Sequence, residues 1–130
     1  MNPVHGADPG AIAWVSGVAD REEILRRLTL GDTAFLDRLI GSRGTASGPP
    51  CLDHVGESLA KLGALIVTDG SDMTWQQTVG DALDAGVSKD EVVDALVALA
   101  PAVGRTRVVT VAPKLAMAIG FDVAGALEAR

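Results

Sequence analysis

Few residues in this chain have both the type and the spacing to do chemistry. Arg105 and Arg107 stand at the start of the last long helical stretch, where free backbone amides already favour anions. They can hold a substrate carboxylate, or pair with one of the 17 acidic residues. Thr74-Trp75-Gln76-Gln77-Thr78 puts polar side chains on successive faces of one helical turn. Trp75 either staples its helix to a neighbour or walls a pocket, since its ring is large and its N–H can reach a ligand. A buried hydroxyl or amide without a partner costs about 1–3 kcal/mol. A ligand pocket is therefore expected between the helix at Thr74 and the last long helix, with Trp75 on its wall. Thr78, Trp75 or Gln76 can donate a hydrogen bond to a guest there.

Other chemistries find less support. His54 and Glu57 sit three apart on one helix, but the only other histidine is His5, and the lone cysteine is Cys51. A zinc or iron site needs more ligands, so no metal is expected and the pair reads as a surface contact. Cys51 cannot form a CxxC redox pair. The stretch Gly41–Pro50 (GSRGTASGPP) has glycines and Arg43 but lacks the GxxxxGK[ST] spacing, and it follows a helix, so it reads as a connector. No cofactor is expected.

Composition narrows the field further. The chain of 130 residues is 48% hydrophobic and 3% aromatic, with net charge −6, so a basic, aromatic nucleic-acid surface is not expected. The sequence pI is near 4.7 and mean hydropathy is +0.28, which excludes disorder for most of its length. No apolar run reaches the roughly 18 residues of a membrane span, and residues 1–10 lack the pattern of a signal peptide. A soluble cytoplasmic protein is the expectation. The length suits one domain, preceded by a loose Gly- and Pro-rich arm over residues 1–18.

Helical spacing runs through residues 19–130, so the expected fold is an all-α, single-domain bundle. Asp20 is expected to cap a first short helix that Gly31 stops, and Asp32 to cap a second. Leu52, Val55, Leu59, Leu62 and Ile66 form one apolar face of a long helix whose other face carries Asp53, Glu57 and Lys61. The charged stripe reads as a solvated salt-bridge ladder. The next helix is expected from Thr74 to Ala85, ending at Gly86. Ser88-Lys-Asp-Glu91 is a capping box that opens a helix carrying Val92, Val93, Leu96, Val97 and Leu99, with Pro101 as its end. The last long helix spans Gly104 to Ile119 with Pro113 inside it, and a short helix follows from Phe121.

From Leu52 onward the chain resembles the carboxymuconolactone decarboxylase family, which includes the AhpD-type alkylhydroperoxidases. The resemblance rests on Leu52-Asp53 opening a long helix, on Ala82-Leu83-Asp84-Ala85-Gly86-Val87-Ser88-Lys89-Asp90-Glu91-Val92, and on the Ala-rich helix ending at Gly120. It implies a helical domain that assembles as a trimer or hexamer. The functional residues of the redox branch are absent. Its two cysteine places fall on Ser71 and Thr74, its histidine place on Thr78 and its glutamate place on or beside Ser58. Serine and threonine cannot cycle through a disulfide, so no peroxidase chemistry is expected. The lactone-decarboxylase branch also has a histidine where Thr78 stands, which puts that activity in doubt.

Two readings of function follow. One is a non-redox scaffold that binds a small organic acid or lactone; the other is a cofactorless decarboxylase or isomerase acting on such a molecule. Either is expected to self-associate. Val108, Val109, Val111, Ala112, Leu115, Ala116 and Ile119 nearly encircle the last long helix, and such a helix belongs in an interior or at a subunit interface.

Overall fold

The computed structural model describes residues 17–41 and 51–129. The expected arm, apart from Gly17 and Val18, and the connector after Gly41 lie outside them. All the described elements are α-helices: α1 Gly17–Thr29, α2 Thr33–Gly41, α3 His54–Thr68, α4 Asp72–Asp84, α5 Lys89–Val103, α6 Arg105–Ala118 and α7 Val123–Glu128. The chain divides into two compact units, Met1–Cys51 and Leu52–Arg130.

In the first unit α1 starts at Gly17, so Asp20 lies inside the helix instead of capping it. Gly31, at φ 69°, turns the chain, and the Phe35 amide donates to Asp32 Oδ1 at 3.0 Å as the cap of α2. Phe35 is fully buried beneath the guanidinium groups of Arg27 and Arg38, at 5.3 and 5.7 Å from its ring centre.

The second unit is a four-helix bundle with α7 packed on α6. α3 and α6 each lie against both α4 and α5 and face one another across the diagonal. Its core comprises Leu62, Leu65 and Ile66 of α3, Trp75, Val79 and Ala82 of α4, Val92 and Leu96 of α5, Val111 and Leu115 of α6, and Val87 before α5.

Side-chain caps set most boundaries. Asp53 caps α3, so Leu52 falls outside the helix and is exposed, while Leu62 and Ile66 of the same apolar series are buried. Glu57 pairs with Lys61 at 2.8 Å as the charged stripe predicts, and Asp53 serves as the cap. Ser71 starts α4 two residues earlier than expected by accepting from the Thr74 amide. The Ser88–Glu91 capping box has both of its hydrogen bonds. Pro101 does not end α5, which runs on to Val103, because Gly104 supplies the stop three residues later. Gly104, at φ 85° and ψ 168°, is the whole connection between α5 and α6, a conformation that disfavours any side chain. Only Val92 and Leu96 of the α5 apolar series are buried, and Val93 and Val97 are exposed. In α6, Val111 and Leu115 are buried while Val109 is 67% exposed, so one flank of that helix remains open.

Candidate functional site

The corner between α3 and α4 repeats the conformation of Gly104 with an unexpected residue. Asp69 has φ 61° and ψ 178°, and it is the only non-glycine with positive φ among the described residues. This region of backbone space belongs essentially to glycine, and a side chain held there signals compensation by its surroundings. The compensation is visible. Asp69 Oδ1 accepts from Trp75 Nε1 at 2.9 Å, from the Gly70 amide at 2.7 Å and from Lys114 Nζ at 3.0 Å. Oδ2 accepts from Lys114 Nζ at 2.9 Å and faces Arg107 Nη1 at 3.8 Å. Its own amide closes α3 by donating to Leu65 O at 2.7 Å.

Each element contributes for a reason legible in the chain. Trp75 begins the buried face of α4 and is 1% exposed, so its indole N–H needs an internal acceptor and finds one in Asp69. Arg107 and Lys114 are seven residues apart on α6, two turns along one face. The indole N–H, the Lys114 ammonium and the Gly70 amide together hold the Asp69 carboxyl far below its ordinary range. Asp69 is therefore a fixed anion and a poor proton acceptor. One carboxylate faces two cations, which leaves the cluster with a local excess of one positive charge. Arg107 is about one-third exposed, and its single 3.8 Å approach leaves most of its donors open.

The expected site residues do not gather in one place. Trp75 and Arg107 share Asp69 as partner. Ser71 and Thr74 meet at the start of α4, their hydroxyls 2.9 Å apart. Thr78, one turn further on, and Ser58 on α3 are half-buried, while Gln76 and Arg105 are exposed. Asp69 and Lys114 are not among the residues that type and spacing single out. Their signal was present: Lys114 is a cation inside an otherwise apolar stretch of α6, two turns from Arg107, and such a residue calls for an anion.

Cys51 is exposed, and its cationic neighbour is Arg21, whose Nε donates to Sγ at 3.2 Å. His54 is exposed, and its neighbour Glu57 is committed to Lys61. No group of three or more His, Cys, Asp or Glu among the described residues could hold a metal ion. No helix there is long and apolar enough to cross a membrane. Compared with known proteins, the chain matches no family model, no curated protein and no solved structure.

Proposed function

We propose that this chain is a carboxymuconolactone decarboxylase-like helical scaffold without peroxidase chemistry, which binds a small organic acid or lactone in the cytoplasm and works as a homo-oligomer. The observation that carries the reading is the net-positive cluster of Asp69, Lys114 and Arg107. Asp69 fixes the ammonium of Lys114, and Arg107 keeps outward donors for the carboxylate of a guest. Hydroxyls at the two cysteine places support the absence of a redox cycle, because Ser71 and Thr74 bond to one another and have no thiol to oxidise.

Calorimetric titration with small monocarboxylic acids tests the binding. Saturable binding that Arg107→Ala removes supports the reading, and equal affinity in wild type and variant sinks it.

One observation favours the alternative, a cofactorless decarboxylase or isomerase. Lys114 and Arg107 face the same carboxylate oxygen, so an acid held on Arg107 has an ammonium proton donor nearby. Release of carbon dioxide from a bound acid, lost in Lys114→Met, would decide for that alternative.

A further inference from the structure

Asp69 is followed by Gly70, the single Asp-Gly pair in the chain. The fold asks for both residues. Asp69 joins Trp75, Lys114 and Arg107, while a Cβ on Gly70 would meet Leu65 Cδ1 at 3.1 Å and Thr74 Cβ at 3.4 Å. The pair is also chemically labile. The backbone nitrogen that follows an aspartate can attack that residue's own side-chain carboxyl carbon, and glycine puts no side chain in the way. Here the Gly70 N–H points at Asp69 Oδ1, 2.7 Å away, so loss of that proton leaves the nitrogen lone pair directed toward the carboxyl group. The positive φ of Asp69 adds a release, because an isoaspartyl linkage lengthens the backbone by a methylene and frees that angle.

We propose that Asp69–Gly70 is a self-modification site, converted through a succinimide to isoaspartate, and that Lys114 restrains the conversion. In the first step the bond from Gly70 N to Asp69 Cγ forms and the Cγ–Oδ2 bond breaks. Oδ2 leaves as water, carrying the Gly70 amide proton and a proton from solvent. A water molecule then adds at the Asp69 main-chain carbonyl carbon, breaks its bond to Gly70 N and returns a proton to solvent. The backbone now runs through Cβ and Cγ, its composition is unchanged, and water is the sole reagent.

The leaving oxygen must be protonated, and the cluster opposes that. Lys114 Nζ holds Oδ2 at 2.9 Å and Oδ1 at 3.0 Å, Arg107 faces Oδ2 at 3.8 Å, and the Trp75 indole holds Oδ1. These donors keep the carboxylate ionised and pinned in one orientation. Conversion would part Trp75 from Lys114, since the carboxylate that links them moves onto the α-carbon. The proposal does not depend on acid binding at Arg107.

Peptide mapping by mass spectrometry tests it on the full chain, aged warm at neutral pH in heavy-oxygen water. Isoaspartate bearing a heavy oxygen atom is expected at residue 69 ahead of every other aspartate, slowly in the folded wild type and faster in urea. Lys114→Met is expected to form it about tenfold faster, because a carboxyl pKa higher by one carries ten times as much of the acid form. Lys114→Arg keeps the cation and should stay near the wild-type rate. Circular dichroism checks each variant, and if Lys114→Met fails to fold, Trp75→Phe removes a donor without a charge and should also gain. No isoaspartate at residue 69 in the urea-unfolded wild type, or equal rates in folded wild type and the folded variant that has lost a donor, would overturn the proposal. Titration of unaged protein with a monocarboxylic acid reports on the binding reading separately.

Discussion

The Trp75 indole nitrogen donates to Asp69 Oδ1 at 2.9 Å, and through that bond the most buried aromatic of the bundle reports on a strained surface corner. The same carboxylate reaches α6 through Lys114. One side chain thus links the α3–α4 corner to the α4 core and to the opposite helix.

Substitutions at Asp69 separate backbone strain from side-chain bonding. Asp69→Gly relieves the positive φ but removes every bond to Trp75, Lys114 and Arg107, whereas Asp69→Asn keeps a carbonyl oxygen for the indole and loses the charge. Asp69→Ala keeps the strain and loses the bonds, so it should melt lowest of the three. Thermal melts followed by circular dichroism give the order, and a melting point for Asp69→Ala at or above that of Asp69→Gly would contradict it.

The pH dependence follows from the same group. The folded-state pKa of Asp69 is depressed, so its stabilising contribution is complete above the ordinary carboxylate range and is lost as pH falls through and below that range. Glu23 behaves alike: hydrogen bonds from Arg26 and then Arg27 pull its pKa down to about 2. Acid unfolding should therefore start as pH drops below about 4. In wild type, Trp75 emission should change along with it. Asp69→Asn should flatten this dependence, and an identical acid profile in the variant would count against the assignment.

The α5–α6 connection offers a backbone test away from the site. Gly104→Ala places a methyl group on a residue at φ 85°, with open space around it, so its cost is conformational: about 1–3 kcal/mol. Denaturant titration should show that loss, while Gly80→Ala in the interior of α4, with nothing near the added carbon, should be neutral or stabilising. A neutral Gly104→Ala would show that the corner relaxes.

Peroxide consumption is expected to be absent. Ser71 and Thr74 cannot form a disulfide, and Cys51 is the single thiol. Because Arg21 stands 3.2 Å from Cys51 Sγ, a one-cysteine reaction deserves its own control. Hydroperoxide loss that disappears in Cys51→Ser would overturn the expectation.

Much of the fold was readable because its signals are local. Asp32, Ser88 and Glu91 act as caps where their spacing placed them, and Gly31 and Gly86 turn the chain where helices stop. Pro101 reads as a stop by residue type, yet α5 runs two residues past it, and which valines of α5 are buried depends on the neighbours the bundle supplies. The site was half legible. Trp75 and Arg107 stood out as residues in want of partners, but their shared anion is a turn residue whose backbone conformation composition does not reveal. The 45-residue separation between Asp69 and Lys114 closes only when α3 and α6 face one another across the bundle.

The central claim, a carboxylate-binding cluster at Arg107, is tested most directly by Trp75 emission during titration with a small monocarboxylic acid. Trp14→Phe provides the background, since Trp75 is then the single tryptophan. A saturable change in emission, abolished by Arg107→Ala and weakened by salt, is the result this account predicts. An emission unchanged by acids, or the same change in Arg107→Ala, would contradict it.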